Sequence, residues 1–169
     1  MKWLPALIVH AVLAAPIAGQ FLAMDTMSLD RLPGVYVEVG QVSLEATQDG
    51  FNSDSVRALI IQKLDDARIK VLSEDEWQVT LGSPLLHVRI NLFRASPFLY
   101  LYSAEVELRQ LAVTMRDSQA VFVPTWRSGQ SLGSVSVNTI SSLTDLILAA
   151  TDRFISAHAV ANRRRRPFE

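Results

Sequence analysis

The stretch from Leu85 to Met115 reads LLHVRINLFRASPFLYLYSAEVELRQLAVTM. Apolar and polar residues alternate on both sides of Ala95-Ser96-Pro97, which is the pattern of two half-buried antiparallel strands joined by a tight loop. A register centred on that loop places the apolar members of both strands on one face, which we predict lies under helices. Its pairs are Leu92 with Tyr100, Ile90 with Tyr102, Val88 with Ala104 and Leu86 with Val106.

The opposite face of this hairpin is polar. It carries His87 and Arg89 on the first strand and Glu105 and Glu107 on the second, with His87 predicted opposite Glu105. A cross-strand ion pair on a solvated face is worth about 0.2–1 kcal/mol, and we expect these side chains to face water. A histidine and a carboxylate are also metal ligands, but a zinc site needs three or four ligands and no third is evident. The sequence therefore predicts no metal site and no cofactor.

Two long amphipathic helices are predicted, one on each side of the hairpin in the chain. The first spans about residues 54–68, is capped by Asn52 or Ser53, and has apolar residues at three- and four-residue spacing. The last spans about residues 139–160, is capped by Asn138, and has an apolar stripe of the same period. Each helix therefore has one face that must be buried.

A short helix is predicted to begin at Ser73. Ser73 and Glu76 have the spacing of a capping box, and Leu72 and Trp77 occupy the two positions of a hydrophobic staple. We expect Trp77 to pack back on Leu72 and on the first long helix.

Further strands are predicted at residues 35–42, 69–72 and 119–127. From Tyr102 to Leu108 the apolar residues of the second hairpin strand occupy even-numbered positions, and after Leu108 the larger ones occupy odd-numbered positions, Leu111, Val113 and Met115. This change predicts a bulge near Gln110. The element order is then β-α-β-α-β-β-β-α. It predicts an α+β two-layer sandwich, in which an antiparallel-rich sheet of about five strands has two long helices on one face.

The amino-terminal residues have the features of a secretory signal. Lys2 gives a short positive region, Leu4 to Ile17 carries no charge, and small residues follow. We expect cleavage near Gly19 and a periplasmic or secreted protein, although an uncleaved anchor over Trp3 to Met24 is the other interpretation. The predicted organisation is a signal at 1–19, a linker at 20–33, one α+β domain at 34–162 and a basic tail at 163–169.

Composition excludes several classes of protein. The 169 residues include no cysteine, so disulfides, thiolate metal sites and a cysteine nucleophile are excluded. The net charge is −1, which does not suit nucleic-acid binding. The one basic run is Arg163, Arg164, Arg165 and Arg166. It suits either a soluble tail or a weak contact with an anionic membrane surface.

One motif suggests hydrolysis. Residues 129–133 read GQSLG, which matches the G-x-S-x-G nucleophile elbow around Ser131. An elbow needs a helix directly after the serine, and Asp152 and His158 lie six residues apart on one predicted helix, so they face different ways. We predict that Ser131 is not a nucleophile and that residues 129–133 form a small-residue loop.

The chain resembles a group of small exported bacterial proteins of unassigned function. The residues that carry this resemblance lie between about 33 and 162: Leu81-Gly82-Ser83-Pro84-Leu85, Tyr100 and Tyr102, Thr125-Trp126, Gly129, Gly133, Phe154 and Ala161-Asn162. The element order is also similar to that of periplasmic assembly domains of the curli-secretion and TolB N-terminal type. The resemblance implies no catalytic residue and an assembly role.

We therefore predict an exported, non-catalytic binding or assembly protein of the bacterial cell envelope, with a protein partner. Phe98 and Leu99 at the hairpin tip, with the polar residues His87, Arg89 and Glu105, are the predicted binding residues. The alternatives are a carrier of a small apolar ligand or lipid, with a pocket between sheet and last helix, and a serine hydrolase using Ser131.

Overall fold

The computed structural model of the chain describes residues 26–163. The predicted signal at 1–19 and Arg164, Arg165 and Arg166 lie outside the described residues. The strands are β1 (Tyr36–Val39), β2 (Leu85–Ser96), β3 (Leu99–Val113), β4 (Ala120–Arg127) and β5 (Ser131–Ser136). The helices are α1 (Leu44–Gln48), α2 (Ser53–Asp66), α3 (Glu74–Val79) and α4 (Leu143–Arg163), and a 3-10 turn, Val137–Ser142, precedes α4.

The five strands form one mixed sheet in which β3 is central. β1 is parallel to β2, and β2 is antiparallel to β3. On its other side, the amino-terminal half of β3 pairs with β5 and the carboxyl-terminal half pairs with β4. Because β3 has fifteen residues, two shorter strands lie end to end along it.

The core lies between one face of the sheet and the two long helices α2 and α4. Alternate residues of β2 and β3 share a single buried cluster with Ile60 of α2 and with Ile147 and Phe154 of α4. Trp126 of β4 joins this cluster, and its ring centroid lies 5.3 Å from that of Phe154. The predicted class, an α+β sandwich with two long helices on one face of a five-stranded sheet, is confirmed.

Within residues 26–163 the element order is β-α-α-α-β-β-β-β-α, which differs from the predicted order in three places, the first of which is the short helix α1, which was not predicted. Residues 69–72, predicted as a strand, contribute only a single bridge between Val35 and Val71. The fifth strand is instead β5, which includes part of the segment predicted as a small-residue loop. Gly133 fits there because Tyr102 lies across it, where a Cβ would stand 2.8 Å from the tyrosine hydroxyl.

The predicted hairpin register is wrong by two residues. The observed pairs are Leu92 with Tyr102, Ile90 with Ala104, Val88 with Val106 and Leu86 with Leu108. The turn is centred on Pro97 and Phe98 and not on Ser96, and an irregularity between Arg94 and Ser96 adjusts the register. Since the side-chain period of a strand is two, an error of two residues leaves every side chain on its predicted face.

The bulge predicted near Gln110 lies between Leu108 and Arg109 in the pairing with β4. Leu108 is opposite Trp126 and Arg109 is opposite Pro124, so Thr125 of β4 is the extra residue. Because the inserted residue is on β4, the alternation of β3 is not altered by it, and Leu111 and Val113 are exposed, at 48% and 64%.

The helix caps follow the sequence signals at two of three sites. Asn52 caps α2 by accepting a hydrogen bond from the Ser55 N–H at 2.8 Å, and Ser73 and Glu76 form the predicted capping box of α3. The last helix is different, because the 3-10 turn before it begins at Ser136, whose hydroxyl accepts from the Asn138 N–H. Asn138 is therefore not the cap.

The segment before β1 also contacts the domain. Leu29 is fully buried in the core, and Asn162 near the end of α4 donates a hydrogen bond to the Leu29 carbonyl at 3.1 Å. Ser28 donates to the carbonyl of Thr125 in β4 at 3.0 Å. Part of the segment predicted as a linker therefore holds the end of α4 beside β4.

Candidate binding face

The sheet face opposite α2 and α4 is here called the open face. Odd-numbered residues of β2 and β3 project from it, because Leu86, Val88 and their even-numbered neighbours face the core. The predicted polar residues His87, Arg89 and Glu105 all lie on this face. The open face has three zones: a charged centre, an aromatic cluster under α3, and an apolar end at the hairpin tip.

The two glutamates at the centre of the open face do not face water, and that prediction is wrong. Glu105 and Glu107 are only 6% and 5% exposed. Arg89 lies opposite Glu105 and its guanidinium contacts that carboxylate, while Arg109 and Arg127 each approach Glu107 at 3.7 Å. The aliphatic stems of arginines can cover a neighbouring carboxylate while their charged ends reach solvent.

His87 also has a different partner from the predicted one. It lies opposite Glu107 in the sheet, and its Nδ1 stands 3.2 Å from Glu38 Oε2 of β1, without hydrogen-bond geometry. Glu105 is paired with Arg89, so the expected contact between His87 and Glu105 is not formed. The order Glu38, His87, Glu107, Arg127 crosses four strands in one row.

The aromatic cluster lies at the end of the open face that α3 covers. Trp77 stacks on Tyr36 of β1 with ring centroids 5.3 Å apart and meets Phe122 of β4 edge-on at 6.5 Å. Arg109 lies over the Phe122 ring, 5.0 Å from its centroid. Trp77 was predicted to pack on Leu72 and the first long helix. Its ring contacts with Tyr36 and Phe122 instead place α3 across the open face, on the side of the sheet opposite α2.

The hairpin end of the open face is apolar and exposed. Phe93 and Leu101 lie directly opposite each other on β2 and β3, and Leu132 of β5 lies opposite Ser103, diagonal to Leu101. Phe93 is 68% exposed and Leu132 is 70% exposed. With Phe98 and Leu99 at the turn, these residues form a surface here called the tip patch: Phe93, Phe98, Leu99, Leu101 and Leu132.

Phe98 and Leu99 were predicted as binding residues and both are exposed, at 78% and 37%. The other three members of the tip patch were missed. The sequence carried a signal for two of them, because Phe93 and Leu101 are apolar at positions that the period of two assigns to the polar face. Leu132 had no such signal, since its segment was predicted as a loop.

A buried polar contact holds the hairpin behind the tip patch. The fully buried Tyr100 donates a hydrogen bond to Asp49 at 2.7 Å, and Arg94 donates to the same carboxylate at 2.9 Å. Arg94 also donates to the Pro97 carbonyl at 3.1 Å, which ties it to the turn. Burial, and then the hydrogen bond to Asp49, raise the pKa of Tyr100 above its usual value. The tip patch is therefore presented on a fixed hairpin.

The residues of the hydrolase interpretation are not brought together as a catalytic site. Ser131 begins β5 opposite Ala104 and is followed by strand and not by helix. His158 lies near the end of α4 against Phe154, with ring centroids 6.3 Å apart, and burial lowers the pKa of His158. Between residues 26 and 163, no group of three metal-ligating side chains is placed to hold an ion.

The space where a carrier would hold its ligand contains side chains. Tyr100, Ile147 and Phe154 are among the largest fully buried residues, and they fill the layer between the sheet and α4. Two clefts lie at the surface: one of about 240 Å³ is lined by residues around the start of α2 such as Gln41 and Asn52, and one of about 360 Å³ is lined by β4 residues from Pro124 to Arg127. None of the helices within residues 26–163 combines the length and apolar character needed to cross a membrane.

Comparison of the chain with protein-family models, with characterised proteins and with solved structures finds no significant match to any of them.

Proposed function

We propose that this chain is an exported, non-catalytic binding or assembly protein of the cell envelope, and that the tip patch is its contact surface for a protein partner. The supporting observation is the exposure of five apolar side chains, four on the hairpin and Leu132 on the adjacent strand β5, and fully burying one such side chain is worth about 1.5–3 kcal/mol. Contiguous exposed apolar surface of this kind is typical of interaction sites. The export half of the proposal rests on the sequence of residues 1–19.

The partner should present an apolar surface. The side chains between the tip patch and the charged centre are Asn91 and Ser103, which carry no charge. Arg94, the nearest cation in the hairpin, is already paired with Asp49 behind the tip. Affinity at the tip patch therefore depends on apolar area and shape more than on ion pairing.

Site-specific photo-crosslinking in the native envelope tests the proposal. A photoreactive phenylalanine analogue placed at Phe93 should capture a discrete protein, and the same analogue at Leu59, an exposed position on α2, should not. Leu101→Ser should abolish capture at Phe93 while the variant remains folded. Equal capture at Phe93 and Leu59, or capture that survives Leu101→Ser, would contradict the proposed surface.

The proposed absence of catalysis has its own test. Ser131→Ala should leave any hydrolytic activity of the purified chain unchanged, because Ser131 is part of the ladder with β3 and contacts no histidine that the structure describes. A clear esterase activity that disappears on this substitution would overturn the non-catalytic assignment.

A further inference from the structure

The edges of the sheet differ in how well they are protected. An exposed strand edge presents unpaired N–H and C=O groups, and most proteins block such edges with charge, proline, a bulge or a covering segment. The outer side of β1 is covered: Val35 bonds to Lys70 and Leu72, Arg57 donates to the Val37 carbonyl at 2.9 Å, and α2 packs beside the strand.

The outer edges of β4 and β2 are also protected. β4 contains Pro124, which has no N–H to donate, and the bulge at Thr125, whose carbonyl accepts from Ser28. Beyond Val88, where β1 stops pairing, β2 carries Arg89 and Arg94, and charged side chains discourage strand addition.

Within residues 26–163, β5 has none of these protections. Its sequence, Ser131 to Ser136, is SLGSVS, without charge, proline or bulge, and among residues 26–163 only β3 pairs with it. The backbone N–H of Ser128 donates to the Val106 carbonyl, and the Val106 N–H donates to the Ser128 hydroxyl. Both backbone groups of Val106 therefore point toward the side of β3 where β4 and β5 lie, and the same holds for the other even-numbered residues of β3 that pair there. Gly133 lies opposite one of these, Tyr102, and the alternation of the ladder then directs the backbone groups of Leu132 and Ser134 outward.

We propose that β5 is a self-association edge, on which a second copy of this chain adds its own β5 in antiparallel orientation about a two-fold axis at Gly133. In this register Leu132 of each copy lies opposite Ser134 of the other, and their outward N–H and C=O groups exchange four hydrogen bonds. An uncharged edge places no like charges opposite each other, so it is compatible with a symmetric partner.

Side-chain packing supports this register over its neighbours. The Leu132 residues of the two copies are diagonal neighbours, close enough for their side chains to touch. Each Leu132 also covers Ser134 of the other copy, which is paired with Leu101 of that copy. The exposure of Leu132, 70% in the single chain, is then reduced. A register centred on Ser134 would use the Ser136 carbonyl, which already accepts a hydrogen bond from Thr139 at 3.3 Å.

The first experiment measures the mass of the purified full chain as a function of concentration by sedimentation equilibrium. An interface built on a six-residue edge is at the small end of specific interfaces, so we expect a weak dimer whose fraction rises with protein concentration. Ser134→Lys places like charges near the axis and should weaken association about fivefold or more. Ala58→Lys makes the same charge change at an exposed position of α2 and should leave association unchanged.

Cysteine crosslinking then tests the register, because the chain has no cysteine of its own. A mixture of Leu132→Cys and Ser134→Cys proteins, oxidised with glutathione disulfide, should form a mixed disulfide, since hydrogen-bonded partners have Cα atoms about 5.5 Å apart. Ala58→Cys should not crosslink. A chain that stays monomeric at every concentration, dimers that tolerate Ser134→Lys, or stronger crosslinking by Ser134→Cys alone would each overturn the proposal. None of these outcomes depends on the proposed partner of the tip patch.

Discussion

Arg89→Ala tests whether the charged centre of the open face is a solvated surface or a buried ion network. From the sequence alone, the loss of Arg89 is predicted to cost less than about 1 kcal/mol, as for an exposed ion pair. The structure predicts more, because its partner Glu105 is only 6% exposed and would lose the guanidinium that contacts its carboxylate.

The magnitude follows from two limits. Breaking a buried ion pair by removing one partner costs about 3–5 kcal/mol, whereas an exposed pair contributes about 0–1 kcal/mol. The side chain of Arg89 is 46% exposed, so water can enter the space that alanine leaves and hydrate the Glu105 carboxylate in part. We therefore expect the free energy of unfolding to fall by about 2 kcal/mol, between the two limits.

Urea unfolding followed by circular dichroism measures this free energy. Adding Glu105→Gln to Arg89→Ala should recover a large part of the loss, because the buried group is then neutral. Arg116→Ala is the matched control, since Arg116 is 91% exposed beside Asp117 and should cost less than about 0.5 kcal/mol. A loss for Arg89→Ala no larger than the control, or a double variant no more stable than Arg89→Ala, would refute the buried-network interpretation.

Three further substitutions test the two faces of the sheet. Ile90→Asp should abolish the cooperative unfolding transition seen by circular dichroism, because Ile90 is only 4% exposed in the core. Trp77→Ala should lower the free energy of unfolding in urea by about 1–2 kcal/mol, less than the 3–5 kcal/mol of a fully buried aromatic, because its indole is half-buried. Because the folded state raises the pKa of Tyr100, the contribution of Tyr100 to stability should be constant below pH 10.0 and fall above it, as the unfolded chain ionises first. Tyr100→Phe should cost about 1 kcal/mol at neutral pH and reduce that alkaline loss, measured as urea midpoints between pH 8 and pH 11.

The sequence predicted which residues face which side of the hairpin, because a period of two is a property of each strand alone. Leu86, Val88 and Ile90 are buried under the helices, as the alternation indicates, and the same holds for Val35 and Val37 of the first strand region. The capping residues of α2 and α3 could also be predicted from the sequence, since a cap depends on neighbours three residues away. Local chemistry was sufficient for these features.

The sequence did not predict features that depend on how strands meet. The hairpin register depends on the turn at Pro97 and on the irregularity before Ser96, which shifted the pairing by two residues. β5 was missed because its serines and Gly133 have low strand propensity, and it is a strand only because β3 extends far enough to pair with it and Tyr102 covers the glycine. At β5, pairing with β3 therefore outweighs the low strand propensity of its residues.

The burial of Glu105 and Glu107 has a further consequence for what the open face can recognise. Three arginines, Arg89, Arg109 and Arg127, are already placed against these two carboxylates, so the positive charge of the face is largely used within the molecule. A polyanionic partner would have to compete with buried acids for those guanidinium groups, and separating a buried pair is costly. Binding at the tip patch involves no such competition, because none of its five side chains is charged. The chemistry of the open face therefore favours an apolar protein surface at the hairpin end over a nucleic acid or an acidic partner at its centre.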